Sequence, residues 1–509
     1  MNKKVMNIVN FVRGIEPREE ADLYTPIKNE IDFDKKYNIP HTFLLQYDAM
    51  ARKDIVDLFI QEQDENMEIG VWIELCREVV EKAGETWRGR ENYDWEWFAN
   101  VGHLEGYDLP IRERLIDLIF EKFKETFGYY PQVVGTWIFD SFSMNYIQNK
   151  YSVKAFCFCR EQFACDANTL WGGYYNGGFY PSKNNMICPA QTLDGQINVP
   201  TFRMLGPDPI YCYDDGKYGP KDTGKHDCFT MEPTWGSGQN SEIMDWYFDT
   251  YYRNPCVAFA HATTGQENSF GWQNFGQGYC MQIEKLAKLR EEGILVIEKL
   301  GDTGTRFKRC FSQTPASALC ALDDWSDNGC KSIWYNSRFY RANLFLNNGR
   351  LFFRDINKFD ERYPARYLKE KLTTWDSRYD NLPIIDGCLW SRLGKECALE
   401  FSGTVLDLKA EENGDSSLKV TVCFLDGSEA NIFFNERNIE LIGFKKSIYN
   451  LGTPGEEATV ERRGNSFVYH HNNYTYKVNV VANIMSSDNN YVFMPIDNKI
   501  TIQLDNMEV

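Results

Sequence analysis

Residues 131–141, PQVVGTWIFDS, form the stretch that decides the fold. An apolar, β-branched run follows Pro131 and stops at Asp140, which is the pattern of a buried strand with a carboxylate at its carboxyl end. The next strand, residues 151–160, repeats this pattern. α/β barrels carry their chemistry at this end of the strands, so Asp140 is a candidate catalytic residue. The alternative is that Asp140 only caps a helix that begins at Ser141, because Asp is a good N-cap.

The same unit of a buried strand and a helix recurs along the first 300 residues. The strands are predicted at residues 5–12, 41–46, 67–73, 131–141, 153–159, 255–260 and 294–298. Helical patterns separate them, and the clearest is the amphipathic stretch 111–127. Repeated strand–helix units are typical of parallel α/β proteins. We therefore predict a seven-stranded (β/α) barrel over residues 1–325.

Two regions depart from this repeat. Residues 160–240, rich in Gly, Tyr, Asn and Pro, are predicted to be a large insertion that covers the barrel mouth as a lid or substrate wall. Residues 326–509 contain strand after strand with turns such as Asp426-Gly427, which predicts a C-terminal β-sandwich-like domain. His470 and His471 are adjacent there and would face opposite sides of a strand, so they cannot share one metal.

Composition limits the classes of partner. The 509-residue chain has a net charge of -18, which argues against nucleic acid or an anionic membrane as the main partner. Fifteen cysteines without a disulfide framework favour a reducing compartment. The start of the sequence lacks a signal-peptide pattern, and no apolar run is long enough to span a membrane. We therefore expect a cytoplasmic protein.

Polar and aromatic residues follow the predicted strands at the barrel mouth. They are Arg13, Glu16, Gln46, Asp48, Trp72, Glu74, Trp137, Asp140, Arg160, Glu161 and His261, with Glu267 beyond them. Glycoside hydrolysis requires two carboxyl groups on either side of the scissile bond and aromatic faces for the sugar. Aromatic residues make up 15% of the chain, which is compatible with sugar binding.

Metal-assisted deacetylation is the alternative chemistry for such a barrel, and it needs His and Asp ligands. The chain has six histidines and no H-x-x-x-H motif. A lone His261 at the mouth is more often a hydrogen-bonded wall residue than a ligand. The glycine-rich segments do not match a phosphate-binding motif. We therefore predict no metal and no cofactor.

The barrel half resembles the glycoside hydrolase/deacetylase superfamily of seven-stranded barrels, and in particular a bacterial family of undetermined function placed there. The matching stretches are VNFVRGIEPR, TFLLQYDAM, EIGVWIEL, WRGRENYDWEW, FGYYPQVVGTWIFDS, LWGGYYNGGFYPSKN and FRMLGPDPIYCYD. The C-terminal part is similar to the β-domain that accompanies the barrel in that family. The resemblance implies a carbohydrate-active protein.

Two branches of the superfamily can be compared by position. NodB-like polysaccharide deacetylases end their first strand in Asp-Asp and place metal-binding histidines after the third. Here the first strand ends in Arg13-Gly14-Ile15-Glu16, and Trp72 and Cys76 occupy the histidine positions. The resemblance therefore implies that the known deacetylase metal site is absent.

The second branch is glycoside hydrolase family fifty-seven, whose nucleophile lies in a W-L-x-E segment. Residues 137–140 are similar, with Asp140 in place of Glu. The acid of that branch lies in an H-D-D-G-E segment, and Thr263 stands at its position here. The resemblance therefore implies that Glu267 or Glu74 substitutes as the acid.

The leading hypothesis is a glycoside hydrolase or transglycosidase acting on an oligosaccharide or polysaccharide. Asp140 is its predicted nucleophile or ion-pairing carboxylate, Glu267 its first acid/base candidate and Glu74 its second. The residues predicted to line the sugar site are Arg13, Glu16, Gln46, Asp48, Trp72, Arg90, Trp95, Trp137, Arg160, Glu161 and His261. One alternative is a metal-dependent deacetylase with His261, Asp48 and Glu16 as ligands. The other is a catalytically inactive barrel that binds a glycan.

Overall fold

The structure is a computed structural model. It describes residues 3–165, 168–204, 206–213, 230–234, 238–379, 381–387, 397–450, 458–487 and 490–505. The sequence stretch FRMLGPDPIYCYD extends in part outside these residues, as does the predicted insertion. Within the described helices, none is long and apolar enough to cross a bilayer.

The first 300 residues form a curved sheet surrounded by helices. Its strands are β1 (Lys4–Val12), β2 (His41–Leu45), β3 (Met67–Trp72), β4 (Val133–Thr136), β5 (Ala155–Phe158), β8 (Gly178–Phe179), β9 (Thr201–Arg203), β10 (Ala260–Thr264) and β11 (Val296–Glu298); the short strands β6 (Gln162–Cys165) and β7 (Asn168–Leu170) lie outside it. The order is β10-β1-β2-β3-β4-β5-β9-β8, with β11 paired to β1. All pairs are parallel except β8 with β9. The predicted α/β barrel is confirmed.

The helices connect and cover these strands. They are α1 (Thr25–Lys36), α2 (Lys53–Glu62), α3 (Arg77–Lys82), α4 (Ala99–Gly102), α5 (Leu109–Phe127), α6 (Ser141–Lys150), α7 (Ser241–Arg253), α8 (Trp272–Glu291) and α9 (Leu300–Cys310). The apolar face of α5 buries Leu115, Ile119 and Phe123, and the helix ends at Gly128, whose φ of 85° is easily reached only by glycine. Short 3₁₀ turns lie at Ala49–Ala51, Leu104–Gly106, Asn268–Phe270 and Arg366–Leu368.

The parallel strand that follows β5 in the sheet is β9, and it comes from the predicted insertion. β9 pairs with β5 through Phe202 and Cys157, although only three residues form the strand. A strand this short leaves no periodicity in the sequence, which explains why β9 was not among the predicted strands. The rings of Phe202 and His261 lie 4.7 Å apart, and no ladder joins β9 to β10 within the described residues. The barrel is therefore nearly closed.

The strand predicted at residues 255–260 lies later in the chain than predicted. Val257 has a φ of 65° and forms an antiparallel bridge with Ser317 of the following sheet, so the chain there does not extend β10, although the Phe259 ring packs in the barrel core. β10 begins only at Ala260, and His261 pairs with Val5 near the start of β1. The placement of His261 beyond a strand end was therefore wrong.

The strand predicted at residues 294–298 is present but shorter. β11 covers only Val296–Glu298 and pairs with the first half of β1, from Val5 to Asn7. β2 pairs with the second half of β1, from Val9 to Val12. β1 is therefore paired along nearly its whole length.

The C-terminal part is built from antiparallel sheets. Its strands are β12 (Ser317–Ala321), β13 (Lys331–Asn336), β14 (Tyr340–Asn347), β15 (Arg350–Lys358), β16 (Ser377–Arg378), β17 (Leu382–Ile385), β18 (Ala398–Phe401), β19 (Val405–Glu412), β20 (Leu418–Phe424), β21 (Glu429–Phe434), β22 (Asn438–Ile442), β23 (Ser447–Asn450), β24 (Thr459–Arg463), β25 (Ser466–His471), β26 (Tyr474–Val481), β27 (Asn483–Ser487), β28 (Asn490–Met494) and β29 (Lys499–Gln503). Side chains from two sheets, such as Phe353 on β15 and Ile432 on β21, share one core. The predicted β-domain is confirmed.

Backbone pairing also links the two parts. β16 pairs in parallel with β7, which itself pairs with β6, so a three-stranded sheet combines the two regions. β12 lies before residue 326 but pairs with β13 in the C-terminal sheet.

Candidate active site

Arg13 is at the centre of a buried cluster at the carboxyl ends of β1, β2, β3 and β10. It follows the last residue of β1, and its backbone is held by Asn268. The Arg13 N–H donates to Asn268 Oδ1 at 2.9 Å, and Asn268 Nδ2 donates to the Arg13 carbonyl at 3.0 Å. This double contact fixes the direction of the arginine side chain.

The Arg13 guanidinium binds two carboxylates through one nitrogen. Its Nη2 lies 3.3 Å from Glu74 Oε2 and 2.9 Å from Glu267 Oε2. All three side chains are buried. Charges removed from water in this way are tolerated only when they are paired, so the three groups hold one another in place.

Glu74 lies two residues beyond β3 and accepts further hydrogen bonds. Gln46 Nε2 donates to Glu74 Oε2 at 2.6 Å, and Trp72 Nε1 donates to the same oxygen at 3.0 Å. Three N–H donors thus converge on one carboxylate, which is an environment that stabilises its negative charge. The sequence prediction placed these residues at one mouth, and the structure brings them together.

A glycine allows Glu267 to reach the cluster. After β10 the chain turns at Gly265, whose φ is 134°, and a Cβ at this position would lie 1.9 Å from the Val9 carbonyl oxygen. The chain then pairs again with β1, where the Phe11 N–H donates to the Gln266 carbonyl at 3.0 Å. Glu267 is therefore held at the level of Phe11, next to the end of β1.

Burial raises the pKa of Glu267 to about 7, and the Glu74 carboxylate adds to this effect while Arg13 opposes it. The Ser269 hydroxyl donates a hydrogen bond to Glu267 Oε1. A carboxyl group with this pKa can hold its proton near neutral pH, as a general acid must. Glu267 and Glu74 thus occupy different electrostatic environments on the same arginine.

Aromatic rings enclose the cluster. The guanidinium carbon of Arg13 lies 3.7 Å from the Trp95 ring centroid, within the range of a cation–π contact. Trp72 packs edge-on against Trp137 with centroids 5.1 Å apart, and both contact Phe11. The predicted tryptophans Trp72, Trp95 and Trp137 therefore lie around Arg13 and its carboxylate partners.

Glu16 and Asp48 extend the cluster. Glu16 Oε1 accepts from Arg18 Nε at 2.7 Å, and its other oxygen is 3.9 Å from Arg13 Nη1. Burial favours the neutral form of Glu16, but the Arg18 contacts outweigh it and lower its pKa. Asp48 Oδ2 accepts from the Gly14 N–H at 3.1 Å, and burial raises the pKa of Asp48 to about 6.

Arg90 lies at the outer side of this aromatic wall. Its guanidinium donates to both oxygens of Glu96, at 2.7 and 2.8 Å, and stacks 4.3 Å from the Trp97 centroid. Trp97 also lies 5.9 Å from the Arg18 guanidinium. Arg90 is thus linked to the Arg13 cluster indirectly, through Trp97, which contacts both Arg18 and Trp95.

Asp140 belongs to a second cluster at the end of β4. Its Oδ1 accepts from the Ser143 N–H at 2.9 Å, so it caps α6, and the same oxygen is 3.2 Å from Arg112 Nη1. Glu105 lies close enough for its pKa to be raised to about 7, first by burial and then by the Asp140 charge. No ion pair or hydrogen bond between described residues joins Asp140 to the Arg13 cluster. Asp140 therefore caps α6, as the alternative interpretation of the sequence predicted.

Arg160 and Glu161 belong to a third network, beyond the end of β5. Glu161 Oε2 is 3.5 Å from Arg203 Nη1 and also pairs with Arg341 of the C-terminal part, while Arg160 Nη1 is 3.7 Å from Cys159 Sγ. The structure therefore places this pair at the junction of the two parts, apart from the Arg13 cluster.

His261 lies inside the barrel, away from the carboxyl ends of the strands. Its Nε2 is 2.7 Å from Asn7 Oδ1, and burial lowers its pKa to about 3. Asp48 and Glu16 lie at the carboxyl ends of the strands, so the three residues suggested as metal ligands do not come together. Among the described residues, no three His, Cys, Asp or Glu side chains form a group that could hold a metal ion.

Sequence reasoning missed several residues of these clusters. Asn268 and Ser269 follow Glu267 directly in the chain, and this proximity was the available signal for them. Arg18 lies in the quoted stretch VNFVRGIEPR but was not singled out. Glu105 carries no motif and could be found only from its contacts in space.

Several buried polar atoms near Arg13 lack a hydrogen-bond partner within the described part of the chain. They are Arg13 Nε and Nη1, Gln46 Oε1, Trp95 Nε1 and His103 Nδ1. Buried polar atoms in proteins are almost always paired, so this concentration indicates a place where another molecule completes the hydrogen bonding. Both donors and acceptors are present, as a hydroxylated ligand requires.

Comparison with known proteins gives the fold. No protein-family model matches the chain, and no curated protein sequence does. Twelve chains of solved structures match it. One is a Parabacteroides distasonis protein with the provisional description glycoside hydrolase/deacetylase: it is 14% identical, the match covers 76% of this chain and 92% of that one, and the TM-score is 0.53.

Two other matches are more distant. A Mycobacterium smegmatis protein provisionally described as a polysaccharide deacetylase is 10% identical, with 61% and 91% of the two chains covered and a TM-score of 0.38. The α-amylase AmyC from Thermotoga maritima is 9% identical, with 60% and 74% covered and a TM-score of 0.31. At such identities the likeness concerns the fold alone. The chain therefore has the barrel fold that its sequence resemblance implies.

Proposed function

We propose that the protein is a carbohydrate-active enzyme, a glycoside hydrolase or transglycosidase, whose active site is the Arg13 cluster. Glu267 is its general acid and Glu74 is the carboxylate that attacks or stabilises the anomeric carbon. Trp95 and Trp137 supply aromatic surfaces for the sugar. This assignment moves the nucleophile from Asp140 to Glu74.

One observation supports the proposal above all others: two acidic side chains from distant strands bind the same arginine nitrogen. The separation of Glu74 Oε2 and Glu267 Oε2 cannot exceed the sum of their distances to Arg13 Nη2, 3.3 and 2.9 Å. This limit applies to one oxygen of each group, so it brings the two carboxyl groups together without choosing between the roughly 5–5.5 Å spacing of retaining glycosidases and the roughly 6.5–9.5 Å spacing of inverting ones. Because Glu74 is proposed as the attacking carboxylate, we expect retention of configuration.

The different surroundings of the two carboxyl groups support their roles. Glu267 has a raised pKa and can give a proton to the leaving oxygen. Glu74 accepts hydrogen bonds from Gln46, Trp72 and Arg13, so its oxygens are directed by fixed donors. The two carboxyl groups therefore differ in their partners, which suits one for proton donation and the other for attack.

The first experiment is a turnover assay on a broad panel of oligosaccharides and aryl glycosides. We expect Glu267→Gln and Glu74→Gln each to lower kcat/KM by at least about 10²-fold. Glu125→Gln, at an exposed position of α5, is the matched control and is expected to keep full turnover. Product stereochemistry by NMR tests the expected retention, and a fluorinated glycoside that traps the intermediate is expected to label Glu74.

Other results would contradict the proposal in distinct ways. Glycan binding without any product would identify an inactive glycan-binding barrel. Unchanged turnover in Glu74→Gln, combined with loss in Asp140→Asn, would return the nucleophile to the second cluster. Absence of both binding and turnover across the panel would remove carbohydrate chemistry altogether.

A further inference from the structure

Charge is unevenly distributed among the side chains of the Arg13 cluster. Among the described residues it contains the carboxyl groups of Glu16, Asp48, Glu74 and Glu267 and two guanidinium groups, those of Arg13 and Arg18. Arg18 is bound by Glu16, and Arg13 is bound by Glu74 and Glu267. Four acidic side chains therefore share two basic ones in this described part of the chain.

Asp48 is the acidic group that a cation would stabilise. It accepts the Gly14 N–H at 3.1 Å and makes no ion pair among the described residues. Burial raises the pKa of Asp48 to about 6, and the charge of Arg13 offsets this only in part. A positive group placed beside Asp48 would favour its ionised form.

The unpartnered atoms independently indicate that a ligand binds here. Gln46 is about 1% exposed and Trp95 is about 1% exposed, yet Gln46 Oε1 and Trp95 Nε1 have no hydrogen-bond partner in the described chain. Gln46 is held by its bond to Glu74, and Trp95 stacks on Arg13, so both atoms belong to this cluster. They provide one acceptor and one donor for hydroxyl or amino groups.

We infer that the site selects sugars carrying a free amino group, such as glucosamine units, over neutral sugars, and rejects sugars carrying a carboxylate. The inference rests on the proposed function, since it concerns the substrate of the same site. An ammonium group would add the missing positive charge beside Asp48. A uronate would instead bring a fifth carboxyl into a poorly hydrated space, where like-charge contact is costly.

The test is binding of the purified full chain to a glycan array in which each linkage is represented by glucosamine, glucose and glucuronic acid oligomers. Calorimetry then gives the Kd of the best-bound linkage in each class. We expect glucosamine oligomers to bind at least about tenfold more tightly than glucose oligomers, and glucuronate oligomers not to bind.

Two variants distinguish the effect of the Asp48 charge from the effect of the net charge of the protein. Asp48→Asn is expected to reduce the ratio of glucosamine to glucose affinity towards one. Asp32→Asn removes the same charge at an exposed position of α1 and is expected to leave the ratio unchanged, even though the whole chain is acidic. An equal fall in both variants would assign the preference to net charge and overturn the inference.

The outcomes distinguish this inference from the proposed function. If glucose oligomers bind as tightly as glucosamine oligomers, or glucuronate oligomers bind best, the amino-sugar inference fails while the carbohydrate proposal stands. If no glycan of any class binds, both fail.

Discussion

Arg13 Nη2 lies 2.9 Å from Glu267 Oε2, although the two residues are 254 positions apart in the chain. The contact closes the carboxyl ends of β1 and β10 around one charge pair. Because a buried pair depends on both partners, this contact gives the most direct test of the cluster.

Arg13→Met is expected to lower the free energy of unfolding by about 3–5 kcal/mol, since it leaves two buried carboxyl groups without their cation. Urea denaturation monitored by fluorescence measures the change. The matched control is Arg253→Met, which removes surface ion pairs with Asp249 and Glu292 and is expected to cost about 0–1 kcal/mol. Equal effects of the two substitutions would contradict the described pairing.

Turnover is expected to decline above about pH 7, because the proposed acid Glu267 must be protonated and its pKa is raised to about 7. The measurement is a pH profile of kcat/KM on the best substrate. Ser269→Ala removes a hydrogen bond to the carboxyl and is expected to move the basic limb upward, because that bond favours the ionised form. If the basic limb has the same pKa in Ser269→Ala as in the wild type, a group other than Glu267 controls the pH profile.

Glu105 is expected to make the protein less stable as pH rises. Burial and the Asp140 charge raise its folded pKa to about 7, above the ordinary value of about 4.3, so the folded state binds more protons between these values. Its contribution to stability is present in full below about pH 4 and is lost as pH rises through 7. The measurement compares the urea midpoints of Glu105→Gln and wild type from pH 4.5 to 8. We expect the midpoint of the variant to rise relative to that of the wild type as pH increases. A constant difference across this range would show that Glu105 titrates normally.

Asp140→Ala is expected to destabilise the fold by about 2 kcal/mol or more, since it removes the cap of α6 and the carboxylate beside the buried Arg112. Asp140→Asn keeps a side-chain acceptor for the Ser143 N–H and should cost less. In both variants the folded fraction should retain turnover far better than Glu267→Gln. Severe loss of turnover with unchanged stability in Asp140→Asn would instead make Asp140 catalytic.

Tyr379→Phe is expected to cost about 1–3 kcal/mol, because it leaves buried Glu105 without the hydroxyl that donates to its Oε1 at 2.7 Å. Tyr37→Phe removes a hydroxyl that donates to Glu284 at the surface, also at 2.7 Å, and should have little effect. Thermal unfolding of the two variants measures the difference. Similar Tm values would argue against an important role for the Tyr379 contact.

The strands with long apolar runs could be predicted from the sequence, and those without them could not. β1, β2 and β3 lie within a residue or two of their predicted bounds, because each is a buried parallel strand with continuous apolar sequence. β9 has three residues and gives no pattern. The apolar run at Val257 was mistaken for β10, since packing against Ser317 of another sheet leaves the same signature as burial in the barrel.

The candidate site shows a similar division. Arg13 and Glu74 were found because each follows the end of a strand, where parallel strands deliver their side chains, whereas Glu267 was singled out as the substitute acid that the family resemblance implies. The sequence did not show that the predicted site residues belong to separate clusters. Asp140 pairs with Arg112 and Glu161 pairs with Arg341, and each pair joins residues from different segments of the chain. Only three-dimensional contacts tell which acid neighbours which cation.

The sheet formed by β6, β7 and β16 has a consequence for dissecting the molecule. Its third strand, Ser377–Arg378, comes from the C-terminal part, and carbonyls of Tyr367 and Glu370 accept hydrogen bonds from the buried guanidinium of Arg112 in the barrel. A shortened protein ending near residue 325 would lose both contacts and would leave Arg112 with fewer acceptors. We therefore expect the barrel expressed alone to be insoluble, and the two parts to remain associated after a single peptide bond between them is cut.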